Sequence, residues 1–245
     1  MNKKCAILQP TFMPWIGFFD IIDQVDKLIF LDNVQFSKQS WQQKNKILLD
    51  GKEHQITIAV DSKGKSNQLI NEVAISKSFS PNKLLLTIKH AYKKSKFYEW
   101  IFPEFEEIIE LFLLGNNQLV ELNTKLIIFF LTKLNITVDI ILSSDLKKIG
   151  NRGEYVADLC SQINSNNYLS PAGSENYLKE DIIFFKNRKI KIFLHRYSHP
   201  IYKQIYNKSN INFIPYLSVI DLLFNHGPDS LNIIKSGRLN SYLLS

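Results

Sequence analysis

Only two cysteines, Cys5 and Cys160, occur in 245 residues. They lie far apart and share no C-x-x-C spacing, so neither a disulfide framework nor a thiolate zinc site can be read. Glycine is sparse, with nine in all. None forms a G-x-G-x-x-G or G-x-x-x-x-G-K-[ST] loop, which excludes the dinucleotide fingerprint and the P-loop. No G-x-S-x-G nucleophile elbow exists, and Cys160 falls within a helical pattern. The longest uninterrupted apolar run extends from Leu126 to Leu131, far short of the ~20 residues that span a bilayer. After Lys3 and Lys4 a short strand-like run stops at Gln9-Pro10, without the apolar core of a signal peptide. A cytoplasmic protein without a membrane span is expected.

The chain is 45% hydrophobic and 12% aromatic, enough for a real core and unlike a disordered segment. Lys and Arg number 30 against 23 Asp and Glu, giving a formal charge of +7. This excess does not imply nucleic acid. Lysines such as Lys89, Lys93, Lys94 and Lys96 sit on a helix face, and no nucleic-acid-binding motif is present. The balance suits an anionic small substrate.

Lys4 to Gln9 and Lys27 to Leu31 read as strands, with a helix opened by Pro14 at its first position between them. Strand, turn, helix and strand make a compact βαβ unit with parallel strands. Ile47 to Leu49, the Asp50-Gly51 turn and Gln55 to Val60 read as a hairpin. Asp61 to Gln68 reads as an exposed loop and Asn71 to Ile75 as a short strand. Helices are expected after Ser80-Pro81, from Pro103, and from about Asn117 to Asn135. Alternation then resumes: strand Thr137 to Leu142, helix Gly153 to Ile163, strand Tyr168 to Ser170, helix Leu178 to Asn187, strand Lys189 to Leu194. Two more helices, Leu217 to Phe224 and Ser230 to Lys235, precede Gly237. The expectation is an α/β fold: a mostly parallel, Rossmann-like sheet with helices on both faces, plus a β-hairpin. Residues 1–245 read as a single α/β domain with a helical insertion at about 80–135.

In such sheets ligands bind beyond the carboxyl ends of the strands. That places the candidates in Gln9 to Trp15, Asp32 to Asn45, Ser143 to Arg152, Ser170 to Tyr177 and His195 to Gln204. His195, His199 and His226 match no metal-ligand spacing, and no metal site is expected. His199, near Tyr202 and Gln204, suits a general base. Asp221 stands inside an apolar run, where a carboxylate must be paired or hydrogen-bonded, and shares a helix face with Asn225. It reads either as a group of an inward-facing site or as the anchor of a structural network.

The segments Gln9-Pro10-Thr11-Phe12-Met13-Pro14-Trp15-Ile16-Gly17-Phe18-Phe19, Phe30-Leu31-Asp32-Asn33-Val34-Gln35-Phe36 and Ser40-Trp41-Gln42-Gln43-Lys44-Asn45 resemble the WbqC-like protein family. So do Tyr168-Leu169-Ser170 with Gly173 and Tyr177, His199-Pro200 with Tyr202 and Gln204, and Leu217 to Asn225 with Gly227. Lys44 stands where that family more usually has Arg, and Ser170-Pro171 where Ser-Gly is commoner. The resemblance implies bacterial surface polysaccharide (O-antigen, lipopolysaccharide) biosynthesis, with an acyl or aminoacyl transferase acting on a nucleotide-activated amino sugar. No cofactor is implied. In this reading His199, Asp32 and Asp221 are catalytic. Gln9, Trp15, Gln35, Trp41, Lys44, Asn45, Ser170, Gly173, Tyr177, Tyr202, Gln204 and Asn225 hold substrate. The opening unit is also similar to nucleotidylyltransferases, with Trp15-Ile16-Gly17-Phe18 where they carry H-x-G-H. A nucleotide-binding ligase or nucleotidyltransferase-like enzyme is therefore one alternative, and a non-catalytic partner of a glycosyltransferase complex another.

Overall fold

The computed structural model describes residues 3–65, 67–115, 117–205 and 212–244. Six strands form one sheet in the order β5-β2-β1-β6-β7-β8, comprising β1 (Lys4–Leu8), β2 (Lys27–Phe30), β5 (Asp139–Leu142), β6 (Asn167–Ser170), β7 (Lys191–Tyr197) and β8 (Arg238–Leu243). All neighbours are parallel except β7 and β8. From β1 the chain winds outward through β2 to β5, then returns to β6 and continues to β7. This is the doubly wound order, with its reversal between β1 and β6.

Side chains of a strand alternate between its faces, and β1 serves both layers. Ala6 and Leu8 pack with Phe19 of α1 (Ile16–Ile22), Phe130 of α4 (Leu119–Lys133) and Leu223 of α8 (Val219–His226). Cys5 and Ile7 pack with Leu159 of α5 (Arg152–Gln162), Leu178 of α6 (Glu175–Glu180) and Phe185 of α7 (Ile182–Asn187). The first layer also takes in α2 (Pro81–Tyr92), α3 (Tyr98–Gly115) and the hairpin of β3 (Lys44–Leu49) and β4 (Lys52–Thr57). Its turn is the expected Asp50-Gly51, both residues at positive φ (50° and 76°), the type I′ geometry that matches strand twist.

Several local expectations change. Helix α1 starts at Ile16 rather than Pro14, because Trp15 is held extended against Ser218. Asn71 to Ile75 is not a strand. Ile70–Glu72 form a 3₁₀ turn, and Ala74 and Ile75 make only isolated bridges. Helix α3 begins at Tyr98, ahead of Pro103, because burial of Tyr98, Ile101 and Phe102 outweighs the hydrogen bond that proline cannot donate. The helix expected over Leu178 to Asn187 is two short ones, α6 and α7, meeting at Asp181. Strand β7 continues to Tyr197, so His195 lies within the sheet. After α9 (Ser230–Ser236), Gly237 leads into β8, which the sequence reading omitted. Ser66, in the loop expected over 61–68, lies outside the described residues.

Candidate functional site

The loop after β1 is fixed by side-chain amides. Asn45 Nδ2 donates to the carbonyls of Phe12 (3.0 Å) and Met13 (2.7 Å). Asn123 Nδ2 donates to those of Pro10 (3.1 Å) and Gln42 (2.8 Å). These bonds tie the loop to β3 and α4. The segment before α8 closes the frame: Ser218 N–H donates to Lys46 O and Val219 N–H to Pro14 O, both 2.8 Å. Residues after β1, on β3 and before α8 thus run side by side.

Trp15 caps α1 with its backbone while its indole folds back across Gly17. A Cβ on Gly17 would collide with the ring of Trp15. The spacing Trp15-x-Gly17 therefore makes room for the indole. Trp15 then joins two other loops, with His199 stacked at 6.1 Å and Tyr216 tilted at 5.5 Å between ring centroids.

Beside this cluster a cleft encloses about 430 Å³. Trp15, Phe18, Trp41 and Tyr216 give it aromatic walls, and Thr11, Asn45 and Lys46 supply polar groups. Trp41 is 50% and Tyr216 59% exposed, so each leaves a large apolar surface open to solvent. Tyr216 also holds a positive φ of 61°, a conformation that costs a non-glycine residue energy and clusters at functional positions. Lys46 Nζ sits 2.9 Å from Glu53 and 5.8 Å from the Trp41 ring centre.

His199 stands behind the wall formed by Trp15 and Tyr216, also flanked by Tyr202 and Phe213. Its Nδ1 lies 2.9 Å from the Pro200 carbonyl, which can only accept, so Nδ1 carries the proton and Nε2 the lone pair. Nε2 is buried and has no hydrogen-bond partner among the described residues. Burial holds the imidazole pKa below its ordinary value of 6.5.

Asp221 is fully buried at the base of the same region. It accepts from Tyr92 Oη (3.0 Å), Tyr202 Oη (2.9 Å) and Gln204 Nε2 (3.1 Å). Desolvation pushes its pKa up to about 6 against the pull of these donors. The carboxylate pins Tyr202 and Gln204, and through them the segment bearing His199, to α8. Asn225 donates to the Asp221 backbone carbonyl rather than to the carboxylate.

The structure brings together Trp15, Trp41, Asn45, His199 and Tyr202, with Gln204 and Asp221 beneath them. It places the other expected site residues elsewhere. Asp32 accepts from the Ser143 and Ser144 hydroxyls and the Ser144 N–H, anchoring the turn after β5. No hydrogen bond links it to His199. Gln9 pairs with Gln42, Gln35 bridges to Leu69, and Lys44 begins β3 opposite Thr57. Ser170 is buried at the end of β6, Gly173 lies in a following exposed turn, and Tyr177 sits on α6. His195 is committed to Asp20 at 2.7 Å inside an ionic cluster with Arg238. His226 faces the Lys203 carbonyl. Among the described residues no three His, Cys, Asp or Glu gather as a metal site requires, and no helix is long and apolar enough to cross a membrane.

The sequence reading gave no site role to Lys46 or Tyr216, nor to Phe18, which it placed only within motif segments. Phe18 follows Trp15 by three, Lys46 lies two beyond Lys44 on the same strand face, and Tyr216 directly precedes an apolar run. The first two carried a usable periodicity signal. The set as built can stack a ring, contact an anion and offer a neutral imidazole nitrogen.

An uncharacterized protein of Mycobacterium tuberculosis (strain ATCC 25618 / H37Rv), Rv1507c, is 27% identical over 238 residues, covering 95% of this chain and 98% of its own. No solved structure matches significantly. The model of the WbqC-like protein family matches residues 9–233, a span holding every cleft residue named above, and the chain belongs to that family.

Proposed function

We propose that this protein is a cytoplasmic transferase of bacterial surface-polysaccharide (O-antigen, lipopolysaccharide) biosynthesis. It moves an acyl or aminoacyl group from an activated donor to the amine of a nucleotide-linked amino sugar. One observation carries the reading: a neutral histidine whose buried Nε2 has no hydrogen-bond partner among the described residues stands directly behind an aromatic cleft. Family membership supports the setting.

In the proposed step the sugar nitrogen forms a bond to the acyl carbon while the bond from that carbon to its leaving group breaks, the leaving group keeping the electron pair. His199 Nε2 takes the proton that the nitrogen sheds. The Pro200 carbonyl fixes the tautomer and receives the Nδ1–H bond that strengthens as the ring becomes positive. Asp221 acts at one remove, by positioning Tyr202 against the imidazole. Access to Nε2 requires one surrounding ring to turn aside, and Tyr216, the most exposed, has the room.

The test is turnover of nucleotide-linked amino sugars with acyl thioesters by wild type and His199→Gln. The variant should keep its fold and lose about 10²–10⁴-fold in kcat. Wild-type activity should fall with acidity along a limb below pH 6.5, since burial depresses the His199 pKa. Turnover within a few-fold of wild type would remove the base. Binding of ATP with no binding of any nucleotide-linked amino sugar would replace the whole reading by a ligase.

A further inference from the structure

Lys46 is the only charged residue lining the cleft among those described, and its charge is already engaged. Its Nζ lies 2.9 Å from a Glu53 oxygen, the two residues projecting from the paired strands β3 and β4. Both side chains are partly exposed, and ion pairs of that kind hold weakly because water and salt screen them. The ammonium lies 5.8 Å from the centre of the half-exposed Trp41 ring, and the same cleft is lined by the half-exposed Tyr216 together with Thr11 and Trp15. Aromatic faces left open to water are poor packing but good stacking surfaces for a planar base. A cleft of about 430 Å³ falls within the usual range for small-molecule sites.

We propose that this cleft holds the nucleoside diphosphate half of the substrate, its base stacked on Trp41 and Tyr216 and its phosphates on Lys46. Glu53 is the built-in competitor that those phosphates displace. The inference rests on the transferase reading for the identity of the whole substrate. It separates the work of the site: the β-hairpin reads the nucleotide, and the sugar extends past Trp15 toward His199. It also assigns the phosphate contact to Lys46, which lines the cleft, whereas Lys44, expected to hold substrate, does not. Glu53 gives selectivity, because a neutral or singly charged ligand gains little by breaking the pair, whereas a diphosphate replaces one carboxylate with two anionic groups.

The experiment titrates the protein with UDP, GDP, dTDP and CDP, and with the corresponding uncharged nucleosides, following tryptophan fluorescence and heat. Wild type, Lys46→Met and Glu53→Gln are compared after circular dichroism has verified their folds. At least one diphosphate should bind saturably. Lys46→Met should weaken it by about tenfold or more and flatten its salt dependence, while leaving the nucleoside unchanged. Glu53→Gln should tighten it by about threefold. Absence of saturable binding by all four diphosphates, or affinities that both variants leave unchanged, would overturn the proposal. A protein that shows this binding pattern yet acylates no amino sugar would overturn the transferase reading alone. One that turns over with a KM indifferent to Lys46→Met would overturn this assignment alone.

Discussion

At the scale of single residues, the site depends on side chains that leave space as much as on those that fill it. Gly17 is buried in α1, where alanine would ordinarily favour the helix by up to about 1 kcal/mol. Here the added methyl would meet the Trp15 indole. The ring has little freedom to yield, with Tyr197 at 5.7 Å on its edge, His199 on its face and Tyr216 beside it. Gly17→Ala should therefore destabilise the protein by about 1–3 kcal/mol, as overpacking does, and alter the near-ultraviolet signal of Trp15. Urea unfolding with near-ultraviolet circular dichroism measures both, and a more stable variant with an unchanged spectrum would show that the indole is free to move. Asn45 illustrates another demand. Its amide spans two carbonyls 2.7 and 3.0 Å away, so it is a brace for the loop in addition to lining the cleft.

At the scale of elements, legibility followed the range of the interactions that determine each piece. The Asp50-Gly51 hairpin could be read because two adjacent residues set the turn. The β1–α1–β2 unit could be read from hydrophobic periodicity. Strand β8 could not: in Arg238-Leu239-Asn240-Ser241-Tyr242-Leu243 no face is continuously buried, and the segment is extended because it pairs with β7. The site divided the same way. Trp15, Trp41 and His199 were visible as polar or aromatic residues after strands, whereas the Lys46–Glu53 pair depends on hairpin register and Asp32's commitment to Ser143 and Ser144 depends on a contact over a hundred residues distant.

The same long-range logic governs the clasp between α1 and the sheet edge. Asp20, fully buried, accepts from Arg238 Nε at 2.8 Å and faces His195 and Gln24, while Arg238 and Lys235 also meet Asp23. Removing the guanidinium leaves a buried carboxylate short of its countercharge. Arg238→Met should cost about 3 kcal/mol. The paired change Asp20→Asn with Arg238→Met should cost less than the sum of the single changes, since each single variant strands the other's partner. A double-mutant cycle in urea measures the coupling, and strict additivity would mean that the clasp contributes nothing as a unit.

At the scale of the molecule, Asp221 imposes a pH dependence. Its folded pKa stands at about 6 against 3.8 for the free side chain. Between those values the folded state binds more protons than the unfolded one, so this group's contribution to stability falls as pH rises through the window. Below pH 3.8 both states are protonated and the contribution vanishes. Above about 6 the folded protein carries an ionised buried carboxylate at a cost of roughly 3 kcal/mol. The difference in unfolding free energy between wild type and Asp221→Asn should slope across this window and level off on either side. A flat difference from pH 3 to 8 would place the titration elsewhere. Other carboxylates contribute to both proteins and cancel in the subtraction.

The clasp has a consequence for biosynthesis. Asp20 and Arg238 are separated by 218 positions. On the ribosome, α1 therefore emerges with its two acids long before their cationic partners have been translated. Until then, docking that helix would bury bare negative charge, and water remains the better home for it. The full set of partners for that helix is complete only once the strand bearing Arg238 has been made.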